Sequence, residues 1–122
     1  VSDASAPSVS AVYAAREWLT LPQVGDLLGL SAGKVSRLVQ ERHLLSLRID
    51  GEPRVPADFL KDGEPVPGLR GTLILLFDAG LSDDEIMTWL LTDDDALGAA
   101  PVDALREGRK TQVRHSVQLL AI

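Results

Sequence analysis

Ala32, Gly33, Lys34, Ser36, Arg37 and Gln40 make up the polar face of a predicted helix, and together they supply one kind of chemistry. An arginine can donate two hydrogen bonds to guanine O6 and N7, a glutamine can pair with adenine, and lysine and serine mostly serve phosphates. The short side chains leave room for a groove wall to come close. Such a face would read base edges in a duplex, with Arg37 the first candidate for a base contact. On an isolated helix the same residues would be an ordinary solvated face, so the neighbouring elements decide the reading.

A reading helix must bury its other side. Val35, Leu38 and Val39 follow helical spacing in residues 32–41, and Ser31 stands at the N-cap. Leu21, Val24, Leu27 and Leu28 form a matching stripe just upstream, after Thr20 as N-cap and Pro22 in the first turn. Gly25 is small where two helices cross, and Gly29 ends the first helix at a sharp turn. This is the spacing of a helix-turn-helix. Residues 45–49 and 52–56 then read as two short strands around Asp50-Gly51, a strong hairpin signal. A hairpin directly behind a reading helix is a wing, with Arg48 and Arg54 on its two strands and Gly51 at its tip. Pro53 and Pro56 keep it small. The predicted DNA-binding surface is therefore Ser31, Ala32, Gly33, Lys34, Ser36, Arg37, Gln40, Arg42, Arg48, Gly51 and Arg54. Residues 57–61 read as one helical turn that closes the unit.

The fold class predicted is mainly α: a winged helix-turn-helix with a small two-stranded β-hairpin, followed by a helical C-terminal region. Residues 1–14 read as a mobile tail rich in Ser, Ala and Pro, 15–62 as the winged unit, and 63–122 as the helical region, with 62–68 a Gly/Pro linker. Residues 69–79 form an apolar helix closed by Gly80, and Ser82 with Glu85 makes a capping box for the next one. Pro101 opens a short helix stopped by Gly108, and residues 110–121 form the last. With 122 residues and 45% apolar content, the chain can fill one domain or two closely packed halves. It lacks cysteine, so disulfides and thiolate metal sites are excluded. It also lacks an apolar run near membrane-spanning length and a signal-peptide core, which predicts a cytoplasmic protein with no membrane partner; with the DNA-binding reading, that location is nucleoid-associated.

Charge opposes binding to a polyanion, because the net value is −6. The acid is concentrated in residues 63–122, which carry −5, whereas residues 18–62 are neutral and residues 31–54 carry +2. A monomer should bind modestly and with strong salt dependence, which favours dimerisation or multivalency. Enzymatic readings lack residues that converge. His43 and His115 are far apart, neither has a metal-ligand partner at helical spacing, and no phosphate-binding glycine motif occurs. Asp93-Asp94-Asp95 lacks the alternating ligand spacing of a calcium loop and reads as a solvated turn. No catalytic residue, cofactor or metal is predicted.

The order of elements from Trp18 to Leu60, running through "WLTLPQV", "LGLSAGKVSRLV" and "RVPADFL", resembles the winged helix-turn-helix of the MerR and excisionase type. With "PGLRGTLILLFDAGLSDDEIMTWLLTDDDAL" and "PVDALREGRKTQVRHSVQLLA", the chain is similar to an actinobacterial family of small winged-helix DNA-binding proteins described as substrates of a membrane Ser/Thr protein kinase. The resemblance implies duplex DNA as partner, a role as transcriptional regulator or nucleoid-associated factor, and a kinase acting on the N-terminal arm. This arm departs from the family in having no threonine before Thr20; Ser2, Ser5, Ser8 and Ser10 are its hydroxyls besides Tyr13. Residues 89–120, around Pro101-x-Asp103-Ala104-Leu105, also resemble the toxin-binding segment of Xre-type antitoxins. That second resemblance implies a homodimer or a protein partner through residues 69–122, and it makes a protein-interaction adaptor the alternative function. The bland reading, in which Pro101, Asp103 and Leu105 cap and pack a helix, stays open beside it.

Overall fold

Side-chain hydrogen bonds start three of the helices where the sequence places them. In the computed structural model, which describes residues 9–120, the order is α1 (Val9–Ala14), β1 (Trp18–Thr20), α2 (Leu21–Leu28), α3 (Ala32–Gln40), β2 (Leu47–Ile49) and β3 (Glu52–Pro56). A 3₁₀ turn (Ala57–Phe59) follows, then β4 (Leu60–Lys61), β5 (Glu64–Pro65), α4 (Leu69–Asp78), α5 (Asp83–Leu91), α6 (Pro101–Arg106) and α7 (Lys110–Leu120). Thr20 and Gln23 form a reciprocal capping box on α2: the Gln23 N–H donates to Thr20 Oγ1 at 3.3 Å and the Thr20 N–H to Gln23 Oε1 at 2.8 Å. Ser82 and Glu85 repeat it on α5. Ser31 caps α3 by accepting the Lys34 N–H at 3.2 Å.

The predicted hairpin carries a third strand. β1 pairs antiparallel with β3, matching Leu19 with Val55, while β2 pairs with the other edge of β3, matching Leu47 with Arg54. Trp18-Leu19-Thr20 is an aromatic, an aliphatic and a β-branched residue, a composition that suits a half-buried strand. Leu19, Val55, Val24 and Val35 are buried, so the sheet and both helices share one seam.

That seam continues into the second half. Leu69, Leu73 and Leu76 of α4, Ile86, Met87 and Leu90 of α5, Val102 and Leu105 of α6, and Val113 of α7 are buried in the same cluster as Val35 and Val55. Each aliphatic side chain taken fully from water contributes about 1.5–3 kcal/mol before entropy is counted.

Two predicted segments differ from expectation. Residues 1–8, with Ser2, Ser5 and Ser8, lie outside the described residues. The rest of the predicted tail contains α1, because Val12 and Tyr13 find apolar neighbours. The Tyr13 and Thr88 hydroxyls share a hydrogen bond at 3.0 Å, and Trp18 Nε1 donates to the Tyr13 carbonyl at 2.7 Å. The predicted linker is a packed ribbon: β4 and β5 pair, the Val66 N–H donates to the Phe59 carbonyl at 2.9 Å, and Val66 is buried.

Arg16 fastens the two halves together. Its guanidinium donates to both Asp103 carboxylate oxygens at 3.0 Å and lies 3.5 Å from Asp58. The bonds to Asp103 hold its pKa above the ordinary arginine value despite partial burial. Arg106 adds a second clasp by donating to the carbonyls of Asp58 and Leu60.

Candidate nucleic-acid interface

The turn between α2 and α3 sets the attitude of the reading helix. Gly29 adopts φ 73°, and the Leu30 N–H reaches back to the Gly25 carbonyl at 2.9 Å, the 6→1 bond of a Schellman cap. Gly25 is buried against this turn: a Cβ there would lie 2.4 Å from the Leu30 carbonyl oxygen. The close approach expected at Gly25 is thus real, but what approaches is turn backbone rather than the α3 side chains.

α3 ends the same way without a glycine. Arg42 takes φ 64°, and the His43 N–H donates to the Leu38 carbonyl at 2.9 Å. A left-handed arginine costs roughly 1–2 kcal/mol. Its guanidinium sits 3.5 Å from the centre of the Phe77 ring on α4, a cation–π contact that offsets the strain. Arg42, predicted as a DNA contact, is exposed yet already engaged with Phe77.

On α3 itself Val35 is fully buried, while Ser31, Ala32, Gly33, Lys34, Arg37 and Gln40 are exposed and Ser36 is half-buried. The predicted reading face is therefore outward as a set. Lys34 and Arg37 have no ion pair or side-chain hydrogen bond among the described residues. Gly33 has no packing reason to be glycine, since a Cβ there would meet only Ser31 Oγ at 3.9 Å. Gly33→Ala should raise stability by about 0.5–1 kcal/mol through helix propensity, a gain of a few degrees in Tm. If a groove wall comes close there, the same substitution weakens duplex binding; a thermal melt and a binding titration on one preparation check both halves.

The wing is less uniform than expected. Asp50 (φ 54°) and Gly51 (φ 86°) form the two-residue turn, so Arg48 pairs with Pro53 and Arg54 with Leu47. Cross-strand partners share a face and neighbours alternate, which puts Arg48 and Arg54 on opposite faces. Arg48 is exposed and donates to the Gly51 carbonyl at 2.6 Å, folding over the tip. Arg54 is half-buried on the central strand, its charge met by Glu52 at 3.1 Å and its buried Nε without a partner among the described residues. The structure brings Ser31–Gln40 together as one face and does not bring the two wing arginines together.

Other motifs are absorbed by the fold. Pro101, Ala104 and Leu105 are buried and Asp103 is paired with Arg16, so the Pro-x-Asp-Ala-Leu core is internal packing rather than a display surface. Asp94 accepts the N–H groups of Ala96 and Leu97 and closes a turn. His43 is half-buried beyond α3, and His115 is exposed on α7.

Comparison with known proteins matches both halves. Residues 6–60 fit the model described as "DNA-binding protein Rv2175c, wHTH domain", and residues 66–121 fit "Rv2175c C-terminal domain of unknown function". The DNA-binding protein Rv2175c of Mycobacterium tuberculosis is 36% identical over 114 residues, covering 83% of this chain and 78% of the relative. An excisionase of Streptomyces ambofaciens is 44% identical over 46 residues, covering 38% of this chain and 74% of the excisionase. The solution NMR structure of Rv2175c superposes with a TM-score of 0.72 at 34% identity, over 87% of this chain and 80% of that one. The chain belongs to the Rv2175c family, with that family's winged helix-turn-helix DNA-binding domain in its first half and its C-terminal domain in the second.

Proposed function

We propose that the chain binds duplex DNA with α3 in the major groove and the β2–β3 tip on the adjoining backbone, as a transcriptional regulator or nucleoid-associated factor. The observation that carries this is the pair Lys34 and Arg37, two cations without partners among the described residues, held outward by the fully buried Val35 between them. A side chain with no internal bond to give up meets a phosphate or base edge at lower cost than one already paired.

Titration of labelled duplexes at several salt concentrations tests it. Saturable binding whose affinity falls linearly on a log–log plot against salt supports the reading. No binding even at low salt removes it and leaves the adaptor as the alternative. The wing gives a second expectation. Arg48→Ala should weaken all sequences alike and reduce the salt slope by about 1. Arg54→Ala should change the slope less, because Glu52 already neutralises that charge. Equal slope changes in the two variants would mean that Glu52 does not neutralise Arg54 at the interface.

A further inference from the structure

The twelve lysines and arginines of the chain sort sharply by what they touch. Arg16, Arg54 and Arg109 are ion-paired, Arg48, Lys61, Arg70 and Arg106 donate to backbone carbonyls, and Arg42 stacks on Phe77. Besides Lys34 and Arg37 on the reading helix, the cations left without a partner among the described residues are Lys110 and Arg114. These two stand one turn apart on α7 and flank a trough of about 370 Å³ floored by Gly71, Ile74 and Leu75 of α4. No acidic residue lines the trough. Four acids of this half are placed elsewhere: Asp84 and Glu85 border a separate apolar groove beside Tyr13 and Trp89, Asp103 holds Arg16, and Glu107 holds Arg109; Asp78 stands one turn beyond Ile74 on α4.

The helix that forms one side of the trough, α4, also touches the end of the reading helix. Arg70 Nε donates to the Glu41 carbonyl, the residue that ends α3, at 3.4 Å. Arg42 lies over Phe77, so one stripe of α4, Arg70 to Phe77, runs past the end of α3. On the other flank, Lys110 packs against the start of α4 so closely that a Cβ on Gly68 would come 3.0 Å from the Lys110 Cβ. At Gly71 a Cβ would meet nothing, so the floor is open there.

We propose that the DNA backbone flanking the site read by α3 crosses this trough, with Lys110 and Arg114 neutralising its phosphates. The inference rests on the DNA-binding reading and assigns part of the DNA surface to the C-terminal half. Phosphates fit because the α7 side is cationic, the α4 side offers no base-reading side chain, and the contact needs no sequence.

The test compares a short duplex of about 16 base pairs with one of about 30, roughly one and a half against three helical turns. The full chain, K110Q/R114Q and Gly71→Glu are each titrated at several salt concentrations. Both variants change exposed helix positions, and Gly71→Glu fills the floor without removing a cation, so a thermal melt confirms that each folds. Both variants should lose about tenfold in affinity on the long duplex and little on the short one, and K110Q/R114Q should reduce the long-duplex salt slope by about 2. Wild-type affinity in both variants on the long duplex, with Arg37→Ala still weakening binding, overturns the trough and leaves the α3 reading intact. Absence of salt-sensitive duplex binding by the unmodified chain overturns both.

Discussion

Replacing Gly25 by alanine should lower Tm by about 8 °C, corresponding to about 2 kcal/mol for a chain of this size. The added Cβ would sit 2.4 Å from the Leu30 carbonyl oxygen, well inside van der Waals contact. That oxygen cannot swing away cheaply. Leu30 is held by its own N–H bond to the Gly25 carbonyl, and the next residue, Ser31, is the N-cap of α3. Alanine gains about 1 kcal/mol in helix propensity over glycine, but overpacking against fixed backbone costs about 1–3 kcal/mol and occasionally more. Here the obstacle is main chain rather than a side chain with alternative rotamers, so the upper end applies. Tilting α3 away from α2 would relieve the contact. DNA affinity, measured well below the melt, should therefore fall further than the unfolded fraction explains. An unchanged Tm would mean that the turn yields, and that α3 is not positioned by this contact.

The contrast between Gly25 and Arg42 shows what the sequence could reveal. Gly25, Gly29, Thr20 and Ser31 act on residues within five positions of themselves, and so do Asp50-Gly51 and Ser82-Glu85; spacing alone exposes them. The face parity of Arg48 and Arg54 was legible too, because a two-residue turn fixes the register. Arg42 is different: its left-handed backbone is offset by Phe77, far along the chain, and no local pattern announces that pair. Arg16 with Asp103 and β1 with β3 are long-range in the same way. A segment count is also blind to placement: residues 63–122 include the acids Asp84 and Glu85 that border one groove and the cations Lys110 and Arg114 that border another.

Arg37→Ala should weaken binding to the preferred duplex by about 10- to 100-fold, or roughly 1–3 kcal/mol, and flatten discrimination among base pairs. Arg37 is exposed and has no partner among the described residues, so removing it breaks no internal bond and the stability should stay within about 0.5 kcal/mol of the parent. The binding loss then belongs to the interface alone. Lys34→Ala is the internal control, because an ammonium on the first turn of α3 serves phosphates as a point charge and carries less base information than a planar guanidinium. Its loss should be similar for every sequence and should appear chiefly in the salt slope. Selecting bound fragments from random DNA with the parent and both variants separates the two roles. A motif that survives in Lys34→Ala and decays at one position in Arg37→Ala assigns base reading to Arg37. A motif that survives in both would move base reading along the same face, to Gln40 or Ser36, whose side chains are the remaining donors and acceptors on a helix whose other side is locked by Val35.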